Sequence, residues 1–258
     1  IESLATFPVC TIVMEACAGA HYMARRLAEF GHESKLISPQ FVRPFVKSNK
    51  NDFTDAEAIC EAACRPSMRF VTPKTESQQT LGALHRVRES FVRDRVKASN
   101  QIHGFLLEFG ISLPVGHAAI KRLPSVMAEH ELPARLITKL ERLHAHFKYL
   151  EQQIAEIDKE LASQLGDDDL GQRLMTIPGV GPITASVLAA ELGDGKHYRC
   201  SRDFAASVGL VPRQYSTGGR ANLKGISKRG DKNLRRLLVQ CARAYMQRLE
   251  RQTGRLAD

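Results

Sequence analysis

The chain of 258 residues is 43% hydrophobic and 25% charged, enough for one large domain or two smaller ones with real cores. Its net charge of +9 is concentrated: residues 212–251 hold eleven Lys/Arg against Asp231 and Glu250, which accounts for the whole excess and points to an anionic partner, nucleic acid first. No apolar run nears the ~20 residues of a membrane span and no signal peptide pattern opens the chain, so the expected setting is cytoplasmic, without a membrane partner.

In chain order, VCTIVME (9–15) reads as a buried β-branched strand ending at Glu15. CAGAHYMARRLAEFG follows as a turn and a helix stopped by Gly31, and HESKLIS (32–38) as a second strand. Strand, helix and strand in this order predict a parallel pair with a right-handed crossover. PQFVRPFVKS suggests a short helix interrupted by Pro44, and a longer helix begins near Asp52, with Asp52 or Thr54 as its cap. RFVTPK (69–74) adds a strand. From 75 to 109 the pattern is a long amphipathic helix, ended by SLPVG. A second long helix, about 133–165, carries Leu136, Leu140, Leu143, Phe147, Leu150, Ile154, Ile157 and Leu161 in steps of four and three, a heptad seam. GDDDLG (166–171) reads as a hinge-like acidic turn. Beyond it lies a helical unit ending in the basic amphipathic helix DKNLRRLLVQCARAYMQRL. The expected architecture is α/β plus α: an α/β domain over 1–74, a helical or coiled-coil arm over 75–168 and a mostly helical domain over 169–258.

Six cysteines (Cys10, Cys17, Cys60, Cys64, Cys200, Cys241) show no C-x-x-C pair and no zinc spacing; they are expected to be reduced and mostly buried, with Cys60 and Cys64 packing on one helix face. His144 and His146 are expected on the surface of the arm, and His21 and His32 suggest no defined role.

Three stretches could carry chemistry. Glu15 ends a strand, where α/β sheets place ligands, and Asp52 and Asp55 lie three apart, on one face of a helix. Such acids suit Mg²⁺, which takes oxygen ligands and substrate phosphates; equally, Asp52 and Asp55 could only cap a helix and favour its positive end. LMTIPGVGPITASVLAAELGD (174–194) resembles a helix-hairpin-helix, in which Gly179 and Gly181 would let backbone N–H groups approach a DNA phosphate; the alternative is a plain turn. In VPRQYSTGGRANLKGISKRGDKNLRR (211–236), Ser216 and Thr217 precede two glycines on backbone expected to be mobile. Arg213, Arg220, Lys224, Lys228, Arg229, Lys232, Arg235 and Arg236 surround them and could clamp a phosphate. A loop whose hydroxyls only contact phosphate and a loop holding a nucleophile fit these residues alike.

MEACAG, KNDFTDAEA and IPGVGPITA…FAASVGLVPRQYSTGGRANLKGISKRGDKNLRR, in this order, make the whole chain resemble the IS110-type (DEDD) transposases, RNA-guided DNA recombinases. The resemblance implies a RuvC-like (RNase H-type) domain, a coiled-coil arm and a C-terminal transposase domain. By motif, Glu15 corresponds to the family's Glu and Asp52 and Asp55 to its closing acidic pair, holding Mg²⁺. Ser216 corresponds to the nucleophilic serine, with Thr217 as the second candidate. Implied partners are donor and target DNA, a structured guide ("bridge") RNA and further copies of the chain as a dimer or tetramer. The family's first Asp precedes the Glu on an upstream strand, and this chain opens at Ile1 without one. The expectation is a missing N-terminal segment, with a weaker metal site, a less stable fold and low activity in consequence. The alternatives are a RuvC-like metal-dependent nuclease without covalent serine chemistry and an inactive nucleic-acid-binding remnant.

Overall fold

The β-branched residues after Pro8 do extend into a strand, β1 (Thr11–Glu15). In the computed structural model, residues 2–47, 51–193 and 195–247 are described, and the chain divides into two units, Ile1–Gln79 and Thr80–Asp258.

In the first unit, β1 leads through α1 (Ala20–Glu29) to β2 (Glu33–Ile37), which pairs with β1 in parallel, Glu15 opposite Ile37. α2 (Pro39–Val42) runs into a 3₁₀ turn at Arg43–Phe45, and α3 (Asp52–Ala63) and β3 (Phe70–Val71) complete the unit. β3 pairs antiparallel with β2, giving the sheet order β1-β2-β3. Strand alternation sends side chains to opposite faces. Met14 and Leu36 pack with Ala20 and Ala24 of α1, whereas Val13 and Ile37 pack with Ala58 and Ala62 of α3. Alanines let α3 lie close to the sheet. The cap of α3 differs from expectation: Asn51 accepts the Phe53 N–H at 2.9 Å, one residue before Asp52.

The second unit is built on two long helices, α4 (Glu76–Leu107), whose first turn holds the boundary, and α7 (Ala134–Gly166). The stretch between them, read in the sequence as a simple break, contains α5 (His117–Lys121) and α6 (Leu123–Glu129). Ile120, Leu123 and Val126 from these short helices fill a core with Ile102 and Leu106 of α4 and Leu140 and Phe147 of α7. Arg88 pairs with Asp158. One end of α4 therefore meets the far end of α7, and the two helices are antiparallel. The seam behaves as its spacing predicts, with Leu140, Phe147, Leu150, Ile154 and Leu161 buried. His144 does not: it is buried rather than on the surface, because it follows Leu140 by one turn and rides the same stripe.

α8 (Asp169–Met175), α9 (Pro182–Leu192), α10 (Ser201–Ser207) and α11 (Lys232–Met246) form the rest, with the two-stranded ribbon β4 (Pro212–Gln214) and β5 (Leu223–Ile226) before α11. The acidic turn falls at a helix boundary: Gly166 ends α7, and Asp168 caps α8 by accepting the Gly171 N–H at 3.1 Å. α9 is buried on every side from Thr184 to Ala190, as a helix at the centre of a bundle must be. Val187 and Leu188 of α9, Val208 and Leu234 make the core there. The cysteines are not core residues: five are exposed and Cys241 is half-buried. Ala58 and Ala62 supply the buried stripe of α3, which leaves Cys60 and Cys64 on its outer side. Among the described residues no helix is long and apolar enough to cross a membrane.

Candidate acidic site and nucleic-acid interface

Glu15 shares a sheet face with Val13 and Ile37, the face covered by α3. On α3, Asp55 continues the stripe of Ala58 and Ala62 toward the helix N-terminus and is half-buried, and Asp52 lies one turn earlier, exposed. Capping by Asn51 relieves both aspartates of that duty. None of the three carboxylates has a hydrogen-bond or ion-pair partner among the described residues, whereas Glu33 and Glu61 of the same unit are paired and titrate below the usual carboxylate range. For Glu33 the chief cause is the Thr11 hydroxyl, and for Glu61 the Arg65 guanidinium. Among the described residues no three His, Cys, Asp or Glu side chains stand together as a metal-binding group. The acids lie on the two packed elements β1 and α3, without a three-ligand cage among the described residues.

In the second unit, the stretch expected to be mobile is an antiparallel hairpin. Pro212 lies opposite Ile226 and Gln214 opposite Leu223, with an irregularity between them. The Tyr215 N–H donates to the Asn222 carbonyl at 3.0 Å, and Thr217 bridges to Arg220. Gly218 and Gly219 between them have φ of 54° and 74°. Two positive φ values in succession are what the tightest twisted hairpin turn requires, and only glycine takes them freely. At the tip, Ser216 Oγ accepts the Gln214 Nε2–H at 2.7 Å and the Asn222 N–H at 3.2 Å. Every residue from 212 to 226 is exposed.

The expected cations divide into two groups. Arg213, Arg220, Lys224, Lys228, Arg229 and Lys232 are exposed and form no ion pair or side-chain hydrogen bond among the described residues. Lys224 lies over the Tyr215 ring, 4.8 Å from its centre. Arg235 and Arg236 are engaged within the protein. Arg235 donates to the carbonyls of Val208 at 2.8 Å and Arg229 at 3.0 Å. Arg236 pairs with Glu89 at 2.8 Å and with the Asn233 amide oxygen at 2.6 Å.

The two glycines of PGVG also part company. Gly179, at φ +83°, lies so close to α11 that a Cβ there would stand 2.6 Å from the Cys241 carbonyl oxygen. Its close approach is to a helix of the same unit. Gly181 is open, begins α9 as its N-cap and has nothing within 4 Å of the Cβ direction. Sequence reasoning also overlooked His85, buried on α4 and 2.9 Å from Ser186 Oγ on α9. Burial, with Arg88 as a second cause, lowers its pKa to about 4. The only sequence signal was a polar residue on the inner stripe of a long helix.

Comparison with known proteins adds a consistent picture. A DEDD transposase model of the IS110 group matches residues 2–111, and one described as the IS116/IS110/IS902 transposase family matches residues 171–256. The chain is similar to the transposase for insertion sequence element IS1328 of Yersinia enterocolitica, 69% identical over 257 residues, covering 100% of this chain and 77% of that protein. It is also similar to a probable family 20 transposase of Pseudomonas aeruginosa, 48% identical over 93% of this chain and 72% of the relative. With the transposase for insertion sequence element IS1111A of Coxiella burnetii, identity is 40% over 99% of this chain and 71% of the relative.

Proposed function

Because the chain belongs to the IS116/IS110/IS902 family of transposases, we propose that it cuts and rejoins DNA through a covalent intermediate on Ser216. The observation that carries this reading is the Ser216 hydroxyl itself: exposed at a hairpin tip, accepting two N–H donors, in a segment with six exposed cations that form no ion pair or side-chain hydrogen bond among the described residues. A serine oxygen that already accepts two donors has its developing negative charge stabilised as its proton leaves. The free cations bind the DNA phosphates and neutralise them for attack.

In the first step Ser216 Oγ forms a bond to phosphorus as the bond from phosphorus to the 3′ oxygen breaks. The serine proton passes to water and the departing 3′ oxygen takes one up. A 5′-phosphoserine linkage results. Attack by the 3′ hydroxyl of a second strand reverses these exchanges, restores serine and joins the new pair. Glu15, Asp52 and Asp55 are the proposed ligands of Mg²⁺. They are hard oxygen donors without a partner among the described residues, and Mg²⁺ ordinarily needs only one or two carboxylates besides water and phosphate. When bound it would neutralise phosphate charge. The proposal includes a RuvC-like first domain, a coiled-coil arm, a structured guide RNA that selects the DNA by base pairing, and a homo-oligomer working in the cytoplasm. Phosphate-binding cations read no sequence themselves, which suits recognition delegated to RNA.

Incubating the chain with guide RNA, element-end DNA and Mg²⁺ and scoring protein–DNA adducts that survive SDS tests the reading. Adduct should form with wild type and Thr217→Ala and fall to background in Ser216→Ala. Adduct retained by Ser216→Ala would remove serine from the role, and loss in Thr217→Ala alone would transfer it to the neighbouring hydroxyl.

A further inference from the structure

Tyr215, immediately before Ser216, is 61% exposed. Neither phosphate binding nor nucleophilic attack by serine uses it. A ring of that size ordinarily finds a core or an interface, yet no position of the ribbon from 212 to 226 is buried. The ring is nonetheless held. Its backbone N–H is fixed to Asn222, and Lys224 Nζ sits over it at 4.8 Å, a cation–π contact. Alternation along the strand sets two faces on the hairpin. Gln214 and Ser216 are joined on one, and Tyr215 and Lys224 on the other.

We propose that Tyr215, backed by Lys224, is a stacking platform for an unpaired DNA base: that of the nucleotide flanking the phosphate Ser216 attacks. The inference rests on the proposed function of the ribbon. With the phosphate on the Ser216 face, the flanking base must fold round the hairpin edge to reach Tyr215, and it can do so only outside the duplex stack. Exchanging strands demands such unpairing, which is unfavourable by itself. An aromatic face offsets that cost without reading sequence, because every base has a π face. The Lys224 charge beside it suits the adjoining phosphate.

The test is fluorescence and affinity with short single-stranded DNA carrying 2-aminopurine at successive positions, with matching duplex and RNA of the same sequence as parallel arms. Wild type and Tyr215→Phe should quench 2-aminopurine in the single strand and much less in the duplex. Tyr215→Leu should lose the quench and bind about 5- to 150-fold more weakly, the range expected for one base–aromatic stack. Lys224→Gln should weaken the quench without abolishing it. Leucine keeps an apolar side chain at a position outside the core, so circular dichroism should be unchanged. A full quench in Tyr215→Leu would overturn the platform, as would its loss in Tyr215→Phe, which would assign the hydroxyl rather than the ring. Quenching by RNA alone would overturn the assignment to DNA. Absence of any DNA binding by wild type would defeat the proposed function as well; binding with no Tyr215-dependent signal would defeat the platform alone.

Discussion

Arg229 and Arg235 stand in one basic run, yet they do different work. Arg235 turns inward and ties the Val208 carbonyl to that of Arg229, while the Arg229 guanidinium is left to the solvent. Two glycines complete the clasp. Gly209 and Gly230 have φ of 73° and 79°, and a Cβ on either would run into backbone, that of Arg229 for the first and of Ser207 for the second. Lys228 takes the same left-handed region at φ 56° without being glycine, an arrangement the surrounding clasp must hold. Gly230→Ala should therefore destabilise by about 2–5 kcal/mol, combining left-handed strain with overlap. Gly225→Ala, with open space at its Cβ and no positive φ, should stay within about 1 kcal/mol of wild type. Chemical denaturation of the two variants side by side checks the contrast.

The pair of helices α4 and α7 holds a titrating group whose effect can be read directly. His85 is buried against Ser186, with Arg88 and Asp158 nearby, and its pKa is lowered from 6.5 to about 4. Between those values the unfolded chain takes up a proton that the folded chain refuses, so stability falls as pH drops from 6.5 toward 4. The unfolding midpoint should decline more steeply over that window in wild type than in His85→Gln, whose amide can still bond Ser186 but does not titrate. Equal slopes would remove His85 from the account. Elements with a strong period were legible in the sequence: β1, α1, β2, α3 and both long helices lie within a few residues of their expected bounds. α5 and α6 were hidden because helices of 5 and 7 residues are too short to show a period. The ribbon was hidden for a different reason. Its strands are exposed on both faces and carry no alternation of apolar and polar residues, leaving Gly218-Gly219 as the only hairpin signal. The acidic residues and Ser216 could be named from their motifs, but their freedom from capping and the donors on the serine oxygen exist only in three dimensions.

Across the whole molecule the charge is lopsided, and the lopsidedness can be measured. The +9 excess lies at the C-terminal end, and six of its cations are exposed and in no ion pair among the described residues. Each phosphate contact should contribute about −0.9 to the slope of log affinity against log salt concentration. Arg220→Gln should make that slope shallower by about one contact, whereas Arg235→Gln should leave it unchanged and lower thermal stability instead. Salt titrations of DNA binding, paired with melting curves, separate the two. A hairpin that stands outside the core has a practical corollary. None of residues 212–226 is a core residue, so a library that randomises the non-glycine positions among them would sample activity with little interference from misfolding. Survivors of a DNA-joining selection would report reactivity almost undiluted by foldability, and the same tip could be exchanged between members of the family as a cassette.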